Sequence, residues 1–358
     1  MLTKKQIEEV REHLERAQNP VFYYDNDSDG LCSFVLFRRK FDKGKGVAVR
    51  SFPDLDVRYA KKAQELNADY VFILDKPDVS EEFLEEIKNL GLPVVWIDHH
   101  DIPGLNVEKM EKKFDNLYVY NWARNKGKDK SEEPVTYWAY KITERKEDLW
   151  LAVCGCIADS YLPDFSLEFK EKWPDYWSPA VKTAFDAYFG TEIGKIAEGL
   201  NFGLKDSTSN IVKLQNFLVS AKGPEEIFEE SSKNYEFRKK YKEIKKKYDV
   251  LIEKAKEKAE EKIIFFEYSG ELSISSEVSN RIFYFYPDKY TVIAFKKGGI
   301  SNLSLRGEDV RGILEKVLNS GEFEGATGGG HEKAVGARIK TEDLKKFKEM
   351  IEKEIERK

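Results

Sequence analysis

A chain of 358 residues with 41% hydrophobic and 13% aromatic content has material for more than one compact core, so two domains are expected. Its 35% charged fraction, with 60 Lys and Arg against 65 Asp and Glu for a net charge of −5, excludes a disordered chain and argues against wholesale non-specific nucleic-acid binding. No stretch approaches the roughly 20 consecutive apolar residues of a membrane span, and the opening MLTKKQIEEVREHLER reads as a charged amphipathic helix instead of a signal peptide, so a cytoplasmic protein without membrane contact is expected.

In chain order, short β-rich runs lie at 21–25 (VFYYD), 47–51 (VAVRS), 70–75 (YVFILD), 93–98 (PVVWID) and 117–121 (LYVYN). Amphipathic segments such as 81–90 separate them. Strands without in/out alternation predict a parallel sheet covered on both faces. Polar residues follow these runs directly: Asp25, Asp27 and Asp29, then Asp75, then Asp98, His99 and His100. In such a sheet ligands bind outside the carboxyl ends of the strands, so these side chains are placed at one end. The basic-to-acidic stretch 124–133 (RNKGKDKSEE) reads as an exposed loop. From Pro134 to Phe228 the pattern is mostly helical, and 149–160 (LWLAVCGCIADS) is apolar enough for a buried helix ending at Asp159.

Residues 231–262 carry 12 basic and 7 acidic positions and read as a long solvated connector helix, with the KKYKEIKKKY segment as a candidate polyanion-steering surface. A second βα unit follows, with strands at 263–267, 290–295 and 300–306, helices at 277–285, up to about 319 and from 341, and between them the glycine-rich run EGATGGGHEKAVGARI, for which a flexible loop is the bland alternative. These shifts divide the chain into 1–228, a connector over 229–262, and 263–358. The three cysteines, Cys32, Cys154 and Cys156, have neither disulfide parity nor zinc-ribbon spacing. Only four Gln accompany the many charges, a bias found in proteins from hot habitats.

Three constellations carry chemistry. Asp25-Asn26-Asp27-Ser28-Asp29-Gly30 sets three carboxylates at alternate positions after a strand; a Ca²⁺ loop of the EF-hand type is disfavoured because its twelfth position is Leu36, and a helix cap is the bland alternative. Trp96-Ile97-Asp98-His99-His100-Asp101 holds two of only four histidines, between aspartates. Imidazole with carboxylates suits Mn²⁺, Zn²⁺ or Fe. With Asp75 and Asp159 there are ligands for two divalent ions, the arrangement that binds a phosphate and activates water for phosphoester hydrolysis. Gly328-Gly329-Gly330-His331 and Arg306 offer backbone amides and a bidentate guanidinium to a phosphate.

At this point the sequence resembles the DHH phosphoesterase superfamily, in the branch with a DHH-associated C-terminal domain. DNDSDG, LDKPD (74–78), IDHH (97–100), CGCIADS (154–160) and GGGHEKAVGARI resemble its motifs, spread from about residue 21 to 339. The resemblance implies an α/β protein of two lobes, an N-terminal parallel-sheet DHH domain and a smaller C-terminal α/β domain, joined by a long helix. It implies Asp27, Asp29, Asp75, His99 and Asp159 as ligands of two Mn²⁺ ions, with Mg²⁺ or Co²⁺ as substitutes, Asp75 as the bridge and Asp25 as a further candidate. His100 corresponds to a residue holding the scissile phosphate and Asp98 to one that orients the neighbouring site. Ser304, Arg306, Gly328, Gly329, Gly330 and His331 correspond to the substrate-binding side. Many members carry a His where this chain has Tyr23, which puts the first metal's ligation in question.

Within the superfamily the chain looks most like archaeal RecJ-like exonucleases, including the helicase-associated group. That implies a manganese-dependent single-strand exonuclease in DNA repair or replication, 3′ to 5′ in direction, with a helicase or repair protein as partner and oligomer formation open. Phe165, Trp173, Tyr176 and Trp177 are candidates for base stacking or, more simply, for core. The competing readings are a nano-oligonucleotide or cyclic-dinucleotide phosphodiesterase on the same centre, a pyrophosphatase, and a scaffold without activity.

Overall fold

The computed structural model describes residues 1–50, 55–100, 107–122 and 133–357, with the side chain of His331 left out. Two compact units emerge, Met1–Tyr241 and Lys242–Lys358, and their boundary falls inside the long helix Tyr235–Lys256. In the first unit β1 (Pro20–Asp25), β2 (Lys45–Val49), β3 (Tyr70–Leu74), β4 (Val94–Asp98) and β5 (Leu117–Asn121) form a parallel sheet in the order β2-β1-β3-β4-β5. β2 begins two residues before the expected run, because pairing with β1 runs from Val21 opposite Lys45 to Asp25 opposite Val49.

Both faces of this sheet are covered, which is why its strands lack alternation. Successive residues of β1 enter different cores: Phe22 and Tyr24 pack with the helices Ser28–Phe41 and Leu149–Ala158, Val21 and Tyr23 with the helices Val57–Glu65 and Glu81–Asn89. Helix Leu149–Ala158 is buried from Leu149 to Ile157, as its composition predicts, and all three cysteines are free and buried. Strand order reverses between β1 and β3, so the crevice at their carboxyl ends is the switch point where such sheets bind ligands. The expected loop at 124–133 lies outside the described residues except for Glu133, which is buried.

The second unit is a mixed sheet of β6 (Ile263–Ser269), β7 (Tyr290–Lys297), β8 (Ile300–Arg306), β9 (Thr327–His331) and β10 (Ala334–Lys340), in the order β6-β7-β8-β10-β9. Helices Val310–Leu318 and Leu344–Glu356 close one face through Leu303, Leu305, Val335 and Ala337. The glycine run is not a loop. Gly328, Gly329 and Gly330 pair with Ala337, Gly336 and Val335 in a β-hairpin, where backbone pairing to β10 outweighs the low strand propensity of glycine.

The charged connector is shorter than expected, and it is not solvated all round: Phe237, Tyr241, Ile244, Tyr248, Ile252 and Ala255, spaced three or four apart, are buried. No helix among the described residues is long and apolar enough to cross a membrane. Gly155 explains the Cys-Gly-Cys sequence, since a Cβ there would stand 2.3 Å from Thr136 Oγ1 on the neighbouring helix Val135–Thr143. Gly155→Ala is expected to destabilise the protein by about 2 kcal/mol through overpacking; urea unfolding with an unchanged midpoint would contradict this contact.

Candidate metal centre

The first carboxylates are placed by a strand-to-helix turn. Asp25 ends β1, Asp27 caps the helix Ser28–Phe41 by accepting from Gly30 N at 3.0 Å, and Asp29 lies in the helix's first turn. The helix approaches β1 so closely that a Cβ on Gly30 would fall 2.5 Å from Asp25 O, a distance no other residue tolerates. The cap reading was therefore right for Asp27 and incomplete. Asp29 turns to the helix Val135–Thr143, which begins after Pro134 without a side-chain cap of its own, and its Oδ1 and Oδ2 accept from Thr136 N at 2.7 Å and Val135 N at 2.9 Å.

Asp75 follows β3 with a left-handed backbone (φ 57°), and Ser160, just after Asp159, is also left-handed (φ 60°). Strain of this kind outside glycine collects at functional sites. Asp75 Oδ1 is buried without a hydrogen bond and lies 3.2 Å from His99 Nε2, which is 3.6 Å from Asp159 Oδ2. Asp159 arrives from the far end of helix Leu149–Ala158. Donor atoms of Asp75, His99 and His100, and of Asp29, His99 and Asp159, lie within 4.8 Å of one another in each group. The structure thus gathers Asp25, Asp27, Asp29, Asp75, Asp159, His99 and His100, which the sequence scatters over more than 130 positions, at the sheet's switch point.

Asp98 is fully buried and serves His100 alone of the two histidines. Its Oδ1 is 2.8 Å from His100 Nδ1 and its Oδ2 accepts from His100 N at 3.1 Å. Asn121, at the end of β5, donates to Asp98 Oδ2 and to the His100 carbonyl, at 3.2 and 2.9 Å. Sequence reasoning passed over Asn121, although a polar residue closing an apolar strand at the same sheet end was the available signal. Lys76, which pairs with Asp25 at 3.3 Å, was also passed over.

Burial pushes the carboxyls of Asp25, Asp27, Asp29, Asp75 and Asp159 upward, Asp25 to about 6, and neighbouring carboxylates push further at all of these but Asp29. Burial opposes a charged His100, yet the hydrogen bond and charge of Asp98, with Asp159 and Asp25, carry it up to about 9. A crowded, buried set of carboxylate and imidazole donors, one aspartate oxygen without a hydrogen bond, fits a divalent cation.

In the C-terminal unit Ser304 and Arg306 of β8 stand opposite Gly336 and Ala334 of β10, which stand opposite Gly329 and His331 of β9, so Ser304, Arg306 and Gly329 share one face of the sheet. Gly328 and Gly330 belong to the other face. Arg306 is 8% exposed and donates to Asn280 Oδ1 (2.6 Å), Ser276 Oγ (3.1 Å) and Leu305 O (2.8 Å), all neutral. Burial brings it down to about 10. The side chain of His331 lies outside the described residues. Phe165 is core, stacked on Tyr137, while Trp173, Tyr176 and Trp177 are half-buried against the same core.

No family model and no curated protein matches the chain. Among solved structures, RecJ from Thermus thermophilus in complex with Mn²⁺ superposes with a TM-score of 0.67 at 15% identity, over 98% of this chain and 54% of that one. The chain has the RecJ fold. It spans about half the length of that RecJ. The DHH domain of a member of a ribosomal-protein family matches at TM-score 0.64 and 16% identity, over 98% of this chain and 89% of that one. A pGpG-specific phosphodiesterase, PggH from Vibrio cholerae, matches at 0.50 and 14%, over 94% and 99% of the two chains.

A group held above its usual range adds stability below its unfolded pKa and loses it as pH rises through the folded one. That window runs from 3.8 to about 6 for Asp25 and from 6.5 to about 9 for His100. The chelated protein is therefore expected to lose melting temperature from about pH 4 to 9, and Mn²⁺ to restore an increment that grows with pH. An increment independent of pH, measured by scanning fluorimetry, would contradict a cation-binding carboxylate cluster.

Proposed function

We propose that the chain is a divalent-metal hydrolase of phosphodiester bonds, with manganese as the preferred ion, that digests single-stranded nucleic acid from an end. The observation that carries this reading is the convergence of five aspartates and His99 at the switch point, next to His100 clamped by Asp98. Asp29, Asp75, His99 and Asp159, with Asp27 beside them, would hold a divalent ion, which when bound would supply Lewis-acid polarisation of a phosphate and a more acidic water. His100, kept in its charged form by Asp98, donates to a phosphate oxygen and stabilises the charge that develops there. Asn121 and Asp98 hold that imidazole in one orientation. Arg306 provides a phosphate grip in the C-terminal unit, where its hydrogen-bond partners Asn280 and Ser276 are neutral and only the more distant charge of Glu277 acts on it.

A second reading has its own support: the match to the pGpG-specific phosphodiesterase runs almost end to end in both chains. In that case the same centre cleaves dinucleotides or other very short strands. Product mapping separates the two, using single-stranded DNA and RNA labelled at either end, dinucleotides, and an Asp75→Ala control in Mn²⁺. The expected result is a ladder shrinking from one terminus, 3′ to 5′ in direction as the sequence resemblance implies, and no turnover by Asp75→Ala. Cleavage confined to dinucleotides selects the second reading, and substantial activity of Asp75→Ala refutes the metal-centred one.

Arg306→Lys keeps the charge but loses the planar fork. KM is expected to rise about tenfold, roughly 1.4 kcal/mol, with kcat nearly retained. A fall in kcat alone, from steady-state kinetics, would place Arg306 outside substrate binding.

A further inference from the structure

The acidic centre contains a lysine that the chemistry above does not use. Lys76 follows Asp75, is 2% exposed, and sets its Nζ 3.3 Å from Asp25 Oδ1. A lysine buried to this degree needs a compensating charge, and here that charge is one of the cluster's own carboxylates. Its backbone is pinned as well, because Trp96 Nε1 donates to the Lys76 carbonyl at 2.9 Å. Tyr23, two residues before Asp25 on the same strand, gives no ligand to this end of the cluster. Its hydroxyl donates to Tyr59 O at 2.8 Å and its ring packs edge-on against Phe83. Both donor groups with ligand spacing are built on His99, and among the described residues neither includes Asp25 or Asp27.

The geometry points to Lys76 as a resident cation: its ammonium holds Asp25 in the place a second divalent ion would take, so the centre binds one ion, at His99, instead of the two that the sequence motifs imply. A divalent ion on Asp25 would face the ammonium across a single carboxylate, and like charges at that separation repel strongly in a buried site. The ammonium is also fixed by the chain, so this part of the cluster stays neutralised when metal is removed. Lys76 is on this view a positioning residue that sets the ion count. The inference rests on the metal-centred reading above.

The test counts ions. Chelated protein is reloaded with excess MnCl₂, desalted, and its manganese per chain measured by plasma mass spectrometry, with melting temperatures recorded in EDTA and in Mn²⁺. One ion is expected for the wild type and for Lys76→Arg, and two for Lys76→Met. Lys76→Met is also expected to melt several degrees lower in EDTA, with Mn²⁺ restoring most of the loss, because Asp25 is left buried and unpaired. Asp25→Asn/Lys76→Met removes both charges and is expected to return to one ion and to lose the EDTA sensitivity, which separates charge from packing and serves if the single variant fails to fold. Two ions in the wild type, two in the double variant, or one in a folded Lys76→Met overturns the inference. No ion bound by the wild type overturns the metal-centred reading itself.

Discussion

Crowding of negative charge at the carboxyl ends of β1 and β3 is the constraint on which the first unit depends. Five aspartates crowded beside one another, Asp29 and Asp75 buried and the others half-buried, would drive the chain apart unless they found compensation. The fold supplies it from the backbone first: Asp27 accepts at the start of one helix, and Asp29 takes two amides at the start of another. Helix N-termini carry partial positive charge, so these backbone amides stabilise both carboxylates. Lys76 compensates Asp25, and His100 adds charge that Asp98 sustains. Asp75 and Asp159 have the least of this help, and they are the carboxylates that face His99.

Holding these groups in register takes local cost elsewhere. Asp75 and Ser160 sit in left-handed conformations that aspartate and serine do not favour, and Gly30 is needed because the helix starts on top of Asp25. The helix Leu149–Ala158, buried up to Ile157, gives the necessary rigidity, delivering Asp159 from a segment packed on all sides. A centre assembled this way is preorganised: its donor atoms are set by strand ends and helix ends, with the left-handed turns fixing their last step.

The two units present opposite electrostatic problems. In one, carboxylates crowd together; in the other, Arg306 is a buried cation whose hydrogen bonds go to an amide, a hydroxyl and a carbonyl, with the charge of Glu277 acting on it. A buried charge short of direct opposite-charge partners is stabilised by an ion of the other sign, a cation in the first unit and an anion in the second.

Much of this was legible in the sequence for a local reason. Apolar runs without alternation, each closed by Asp, His or Asn, mark parallel strands and the end at which ligands gather, and four of the first unit's five strands lie within a residue of the expected bounds. The donor list follows from the same pattern, since chemistry-bearing residues sit where apolar runs stop. What pattern could not give was pairing across the chain. Nothing in the glycine run itself marks a strand, because glycine has low strand propensity, and only β10 beside it makes it one. Lys76 reads as one more surface lysine until burial puts its ammonium on Asp25, and Asn121 as a strand-end polar residue until it reaches Asp98. Residue type and periodicity are properties of neighbours along the chain and so are written in the sequence itself. Charge compensation is a property of neighbours in space, and the tertiary structure alone decided it.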